Sequence, residues 1–493
     1  MSVPFDATPF LRLTAAWRLR RLRRLDPAAA QAALLRRLLA RAAPTRFGRA
    51  HGFARLSGHA DFARAVPLRR YEAMWEEFLK PAFPVLENVS WPGRVPFFAL
   101  SSGTSSGATK HIPVTAAMVR ANRAAALETL AWHLANTPGA RPLAGPGFML
   151  GGSTALAELA PGVRAGDLSG IAAATIPAFL RPWSWPPTEL ALEPDWGRKL
   201  ARMVAEAPRE ARILGGTCSW LLLLLERLAE ARGAPPFPDL GLLIHGGVAW
   251  APYRARTRAL LPPGCDTREV FAASEGFFAV ADADEEAGMR LILDGGVFFE
   301  FVPLGELDAP APRRLTVGEV ETGVDYALVV STCAGLFGHV VGDVVRFTSL
   351  APPRVVVTGR TAWTLSAFGE HLSGEEIHAA LEGVPWREFM VGAEMQGGLG
   401  RHRWIIEAAA EAAGDAAALA ARLDARLMAA NDDYRAHREG GQLAPPLVEL
   451  VPPGRFAAWM QAIGKGGGQH KAPRVVADPA RFAGFRDGLL GRG

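Results

Sequence analysis

The chain has 493 residues, 49% hydrophobic and 21% charged, which excludes a disordered polypeptide and allows two or three domains with cores of their own. Its net charge of +5, without a dense basic stripe carrying interleaved aromatics, argues against a nucleic-acid surface. Three cysteines, Cys218, Cys265 and Cys333, show no Cys-x-x-Cys pairing, so no zinc or disulfide framework is expected and a reducing cytoplasm fits.

Residues 10–42 read as helix, with Leu34, Leu35, Leu38 and Leu39 as an apolar stripe and Pro27 suited to a helix start. Within it Arg18, Arg20, Arg21, Arg23 and Arg24 are interspersed with Leu19, Leu22 and Leu25. This run reads as the solvated face of a helix, with a membrane-surface helix as the other reading. No apolar core follows it, as a secretory leader requires. The longest apolar run, around Leu221 to Leu225, is too short to span a bilayer.

Residues 95–100 read as a buried strand running into Ser101–Lys110, and a helical pattern follows from Thr115 to about Asn136. The loop is therefore expected between a strand and a helix. Residues 148–150, 242–244 and 268–272 read as strands, the second ending at Gly246-Gly247 with a helix from about Pro252. The stretch 176–196, with five prolines and with Trp183, Trp185 and Trp196, reads as a packed irregular loop. After residue 290, closely spaced β-type runs suggest an antiparallel sheet or small barrel attached to the first domain.

A second boundary is expected near residues 368–372. Ser373 and Glu376 form a capping box for a helix with Ile377 and Leu381 inward, followed by strands near 386–394 and 402–408 and a helix near 413–430. The Ala-rich stretch 408–421 reads as a helix rather than a disordered tract, since alanine is the best helix former. The predicted fold is mixed α/β. A large domain, residues 1–368, has layered sheets and helices with an antiparallel β subdomain over about 290–365; a small α+β domain covers 369–493.

Four segments have compositions suited to chemistry. Ser101–Lys110 offers small residues, hydroxyls and close backbone approach, which suit phosphate oxygens; it lacks the Gly-Lys-Ser/Thr of a Walker loop. Phe271–Phe278 contains Ser274-Glu275-Gly276, where the carboxylate suits Mg²⁺, although one carboxylate taken alone is a weak metal site and reads as a strand-end turn. Asp343 follows Gly342 inside a β run; an acid accepting two ribose hydroxyls explains it, and so does a β-turn aspartate. Gly464–Arg474 carries Lys465 and Lys471 on a segment too glycine-rich for a helix, hence a mobile loop. The chain has only five lysines against 49 arginines, so Lys110, Lys465 and Lys471 beside glycine-rich segments are candidates for a compact, mobile ammonium. His111, His133, His245 and His339 read as packed or hydrogen-bonded residues.

In this order the motifs Ser-Ser-Gly-Thr-Ser-x-Gly-x-x-Lys, Ser-Glu-Gly, Gly-Asp-Val and Gln-x-Lys-x-Pro-Arg resemble the Gretchen-Hagen-type acyl-acid amido synthetases, also called the auxin-responsive promoter family, within the adenylate-forming superfamily. The resemblance extends to Gln31, Thr45–Gly48, Val66–Glu72, Gly246–Val248 and Pro252–Arg254. It implies phosphate binding by Ser101, Ser102, Gly103 and Thr104, with Lys110 on the phosphate tail. It implies that Phe271, Ala273, Ser274 and Gly276 lie along the adenine and α-phosphate, with Glu275 on the metal and Gly247 and Val248 lining the adenine. Asp343 matches the ribose acid, Arg360 the arginine supporting it near the hinge, and Lys471 the lysine that reaches the α-phosphate when the small domain closes. One departure is Gly369-Glu370-His371-Leu372, where plant members carry a hinge lysine.

The resemblance implies activation of a carboxylic acid by ATP and Mg²⁺ and transfer of the acyl group to an amine, an amino acid in the leading reading. The acyl pocket is expected between the helix after residue 115 and Phe277-Phe278, with Trp183 and Trp185 as possible walls. Coenzyme A as acceptor and a non-catalytic nucleotide-binding homologue are the alternatives. A cytoplasmic monomer is expected, acting on small molecules without nucleic acid or stable membrane insertion.

Overall fold

In the computed structural model the described residues are 3–102, 109–151, 156–193, 195–247, 250–361, 365, 372, 374–396, 399–408, 415–439, 443–464, 472–476 and 478–491. They fall in two compact units. The first comprises residues 1–103, 108–341 and 346–356, the second 104–107, 342–345 and 357–493.

The first unit opens with two helices rather than one, α1 (Thr8–Arg23) and α2 (Pro27–Ala42). Asp26 separates them: its carboxylate accepts the Ala29 amide, and Pro27 occupies the first turn, where no N–H is needed. On the buried stripe of α2 sits one polar residue, Gln31. Its amide nitrogen donates to Leu293 O (2.7 Å) and Val297 O (3.1 Å), and its oxygen accepts from Phe299 N (2.8 Å), stitching the helix to a strand. Helix α1 buries Leu11, Ala15, Leu19 and Leu22. The expectation of a uniformly solvated arginine face is corrected at Arg18, which donates to Glu128 (3.0 Å) and Asp294 (2.7 Å). Those acids are almost buried, so leaving them in the core requires the guanidinium.

The strands are β1 (Phe97–Ser102), β2 (Thr109–Val114), β3 (Gly147–Leu150), β4 (Ala157–Ala160), β5 (Val163–Gly166), β6 (Ser184–Trp185), β7 (Ile213–Thr217), β8 (Leu242–Gly246), β9 (Asp266–Ala273), β10 (Gly276–Val280), β11 (Met289–Leu291), β12 (Val297–Pro303), β13 (Asp325–Thr332), β14 (His339–Leu350) and β15 (Pro353–Arg360). A four-stranded sheet has the order β2-β1-β5-β4, and an eleven-stranded sheet the order β12-β13-β14-β15-β11-β10-β9-β8-β7-β3-β6. From β6 through β3, β7 and β8 to β9 the pairs are parallel. At β10 the chain folds back on β9, and antiparallel pairing continues to β11 and β15. The β runs after residue 290 thus extend the same sheet, because a hairpin reverses direction without leaving it.

The proline-rich stretch is more ordered than expected. It forms a 3-10 turn at Ala178–Trp183, then β6, then a helix at Thr188–Ala191. Trp183 donates its indole N–H to Phe5 O and Leu143 O, and Trp185 packs edge-on against Phe148 at 4.3 Å. Trp185 is buried and packs as a core residue, whereas Trp183 is half-buried.

Glu300 on β12 is fully buried and meets Arg314 at 2.7 Å and His59 at 2.8 Å. Burial pushes its carboxyl upward, but His59 and Arg314 outweigh this and hold it below its usual value. Because the folded value is depressed, the stability it contributes is present above the usual carboxylate range and is lost as pH falls through the folded value. Arg314→Leu is expected to cost about 3–5 kcal/mol at neutral pH, since it strands a buried carboxylate. The deficit should shrink at about pH 4, where the stranded acid takes up a proton. Denaturant unfolding at both pH values checks this.

In the second unit a helix at Gly374–Ala380 turns Ile377 into the core, with Leu381 buried just beyond it. Ser373 of the expected capping box lies outside the described residues. Strands β16 (Glu388–Gln396), β17 (Leu399–Glu407), β18 (Leu447–Val451) and β19 (Val475–Val476) form a sheet of order β18-β17-β16-β19. Among the described residues the following helix is Ala416–Ala430, capped by Asp415, whose carboxylate accepts the Ala417 and Ala418 amides. Of the expected Ala-rich helix, Ala408 instead extends β17, its amide donating to Val451 O, and residues 409–414 lie outside the described residues. Just before β19, Arg474 pairs with Glu388 at 2.7 Å and lies over the rings of Trp386 and Phe389. Among the described residues, no helix is long and apolar enough to cross a membrane.

Candidate functional site

The serine-rich segment leaves β1 and returns along β2. Ser101 stands opposite Lys110 and Ser102 opposite Thr109. The expected order of strand, loop and helix is thereby corrected. A second strand intervenes, and the helix starts only at Ala116, with the Thr115 hydroxyl accepting the Met118 amide at 3.1 Å. Residues 109–114 make a strand because Ile112 and Val114 are buried and β-branched at period two. The N-terminus of that helix is therefore separated from Ser102 by the whole of β2. Gly103 and Thr104 lie outside the described residues.

Lys110 is held from below by a short helix, Tyr71–Met74. Its ammonium lies 3.1 Å from a Glu72 carboxylate oxygen and 5.2 Å above the Tyr71 ring. The His111 amide donates to the Tyr71 hydroxyl at 2.8 Å, locking the helix to β2. Burial alone would raise the Glu72 carboxyl, but its own backbone amide, Lys110 and the nearby His339 hold it below the usual range. Lys110 is thus a paired cation with a fixed base, and its side chain remains one-fifth exposed.

Ser274 and Glu275 form the two-residue tip of the β9–β10 hairpin, since Ala273 pairs with Gly276. The strand-end turn expected from the sequence is this tip. The Glu275 side chain is only 13% exposed, and its carboxylate stands 3.7 Å from Nε2 of His339, a buried residue at the start of β14. Phe271 packs edge-on against Phe278 at 5.0 Å, and Phe278 is fully buried against Phe299. Phe278 is therefore core rather than the wall of an acyl pocket. Among the described residues no cluster of three His, Cys, Asp or Glu is arranged to hold a metal. A cation at Glu275 would take most of its oxygens from water or from a ligand, which is the usual habit of Mg²⁺ at nucleotide sites.

At the end of β8, Gly246 has no room for a side chain: a Cβ there would lie 2.3 Å from Val270 O on the paired strand. Gly247 follows with a left-handed φ of 77°. Val248 lies outside the described residues.

In the second unit Asp343 and Arg360 are brought together. Arg360 Nε is 3.0 Å from Asp343 Oδ1, and the acid is 13% exposed. Gly342 takes a φ of 97°, and its carbonyl accepts the Thr361 amide at 2.8 Å, fixing the bend before the acid. Asp343 is an ion-paired strand residue, not a β-turn aspartate. Lys471 and Lys465, like Gly369, Glu370 and His371 of the hinge segment, lie outside the described residues.

Tyr71 and Glu72, which seat Lys110, entered the sequence reading only within the segment Val66–Glu72, and His339, which faces Glu275, only as a packed or hydrogen-bonded residue. Their roles depend on pairings across 38 to 64 positions of chain, which no motif spacing encodes.

Comparison with known proteins matches three family models in chain order: the GH3 family N-terminal domain over residues 20–203, the GH3 family central domain over 290–360 and the GH3 family C-terminal domain over 374–480. Together they span more than half of the chain. Similar curated proteins include Probable indole-3-acetic acid-amido synthetase GH3.9 of Oryza sativa subsp. japonica, 28% identical over 237 residues, covering 43% of this chain and 54% of that protein. Indole-3-acetic acid-amido synthetase GH3.8 of Oryza sativa subsp. indica is 26% identical over 321 residues, covering 59% of this chain and 52% of its own. The chain spans about half the length of these curated relatives. Among solved structures, AtGH3.15 acyl acid amido synthetase in complex with 2,4-DB superposes with a TM-score of 0.77 at 17% identity, covering 94% of this chain and 93% of that one. 2-Hydroxyisobutyryl-CoA ligase in the postadenylation state, in complex with R3-HIB-AMP, gives a TM-score of 0.60 at 18% identity, covering 94% and 92%. These likenesses establish a shared fold.

Proposed function

This chain belongs to the GH3 family, and on that premise we propose that it is an AMP-forming acyl-acid amido synthetase that activates a carboxylic acid with ATP and transfers the acyl group to an amine, an amino acid by preference. The observation that carries this reading is the nearly buried Glu275 carboxylate at one hairpin tip of a unit in which another hairpin carries Ser101 and the seated Lys110. Its relatives, which are named as amido synthetases, support the acceptor class.

In the first half-reaction a carboxylate oxygen of the acid attacks the α-phosphorus and pyrophosphate leaves, giving an acyl-adenylate. In the second the amine attacks the acyl carbon, the C–O bond to AMP breaks, and an amide forms. Two anions must approach in the first step, so the chain's task is mainly electrostatic. The loop amides and hydroxyls of Ser101 to Thr104 bind phosphate oxygens, and Lys110 neutralises the phosphate tail. Phe271, Ala273, Ser274 and Gly276 flank the adenine and α-phosphate, with Gly247 and Val248 along the adenine. Glu275 would hold Mg²⁺, which when bound spreads the negative charge of the phosphates. Asp343 accepts the ribose hydroxyls, with Arg360 fixing its orientation. Lys471 acts at the α-phosphate, carried by a C-terminal domain of residues 369–493 that rotates between half-reactions.

Asp343→Ala is expected to raise KM for ATP about 10- to 100-fold with a smaller change in kcat, since hydrogen bonds to a charged acceptor are lost in ground and transition state alike. Steady-state kinetics at varied ATP checks this, and an unchanged KM removes the ribose role. The decisive test of the whole reading is ATP–pyrophosphate exchange across a panel of carboxylic acids, followed by acceptor trials with amino acids, hydroxylamine and coenzyme A. Folded protein that exchanges pyrophosphate with no acid overturns the enzyme assignment; thioester formation without amide overturns the acceptor.

A further inference from the structure

Helix α1 has two faces of unusual character. Its buried stripe is Leu11, Ala15, Leu19 and Leu22. On the opposite side Phe10, Leu13 and Trp17 recur at helical spacing, yet they are 66%, 73% and 65% exposed. Nearby, Phe5 is 54% exposed and meets Phe10 edge-on with centroids 6.4 Å apart. Isolated exposed apolar residues need no explanation, but four large ones on one contiguous face do.

The same outward face turns basic toward its C-terminal end. Arg20 and Arg24 continue the spacing begun by Phe10, Leu13 and Trp17, and Arg23 lies beside them, all exposed. Arg18 and Arg21 are engaged by Asp294, whereas Arg20, Arg23 and Arg24 have no carboxylate partner among the described residues. No acidic residue occurs between positions 7 and 25.

We propose that this face of α1 docks the protein on a membrane surface carrying anionic phospholipid, with Phe10, Leu13 and Trp17 entering the interface and Arg20, Arg23 and Arg24 meeting the headgroup phosphates. Aromatic side chains favour the boundary between headgroups and acyl chains, and clustered arginines add attraction to a negative surface. The charge pattern selects lipid over a second copy of the chain, because two such helices would bring unpaired arginines together with no acid to answer them. High exposure means that the side chains project from the surface and do not line a cleft shaped for a peptide. The inference is independent of the proposed enzyme activity.

The test is co-sedimentation of the full chain with vesicles of phosphatidylcholine alone and with about 30% phosphatidylglycerol added, at about 0.05 and about 0.5 M salt. The expected result is binding to the anionic vesicles at low salt, at least about tenfold weaker at high salt and on neutral vesicles. The combined variant Phe10→Ser, Leu13→Ser, Trp17→Ser should lose about tenfold or more of that binding at an unchanged melting temperature, since only exposed groups are altered. Arg20→Gln, Arg23→Gln, Arg24→Gln should abolish the preference for the anionic vesicles. Quenching by brominated lipid should fall in Trp17→Phe. The proposal is overturned if the parent chain fails to sediment at low salt, or if the serine variant sediments equally. It is also overturned if light scattering finds a dimer that the serine variant dissolves, which would make the face a self-interface.

Discussion

Replacing Lys471 with alanine is expected to lower ATP–pyrophosphate exchange by about two to three orders of magnitude without changing the melting temperature. The proposed first half-reaction forces a carboxylate onto a phosphate that is already negative, so a cation at the attacked phosphorus would act mainly on the transition state. Loss of such a contact lowers kcat and kcat/KM together, while loss of a phosphate-tail contact such as Lys110 shows chiefly in KM. A compact ammonium on a flexible stem suits a group that must arrive and leave, and this chain keeps only five lysines. The chain just after Lys471 is anchored: Ala472 is buried, and Arg474 is pinned to Glu388 and stacked on Trp386 and Phe389. Alanine at 471 therefore leaves the neighbouring anchor intact. The two half-reactions separate the role further. Supplied with preformed acyl-adenylate and amine, Lys471→Ala should still make amide at a rate close to that of the parent. Undiminished pyrophosphate release would end the assignment, and loss of both half-reactions together with a lower melting temperature would make the residue structural.

What could be read in the sequence was whatever local pattern encodes. The stripe of Leu34, Leu35, Leu38 and Leu39, the inward Ile377 and Leu381, and the strand carrying Asp343 follow from period and composition. Local pattern failed where partners are distant in the chain. The Ser101 segment looked like a strand entering a helix, because nothing in Thr109–Val114 announces that it returns to pair with Phe97–Ser102. The run after residue 290 looked like an attached antiparallel sheet or small barrel, because the β9–β10 hairpin that makes it continuous with the parallel half is visible only once Ala273 and Gly276 are paired. Asp26 divides α1 from α2 through one carboxylate-to-amide bond, which a stripe of leucines outweighs by eye. Charge partners were the least legible. Arg18 was read from its neighbours as solvated, yet it answers acids 110 and 276 positions away.

Glu275→Gln tests the proposed metal ligand and is expected to cost about two to three orders of magnitude in kcat/KM for ATP. The substitution is nearly isosteric, and the hairpin should survive it because Ala273 and Gly276 hold the tip through backbone pairing. His339 stands 3.7 Å from the Glu275 carboxylate and can face an amide oxygen as readily, so that contact survives while the charge is lost. A single carboxylate is a weak cation ligand in water. Here the side chain is only 13% exposed, and a charge in such a place interacts with a cation more strongly than one in bulk solvent. The amide should therefore shift the Mg²⁺ dependence to higher concentration, in addition to lowering the rate at saturation. Asp343→Ala should leave the Mg²⁺ dependence where it was. Titrating Mg²⁺ at fixed ATP in the two variants gives the comparison: equal shifts would mean that Glu275 acts on the nucleotide without the metal, and an unshifted, fully active Glu275→Gln would remove it from the mechanism. Raising Mg²⁺ should recover part of the Glu275→Gln rate and none of the Lys471→Ala rate, because the missing charge is supplied from solution in the first case and belongs to the chain in the second.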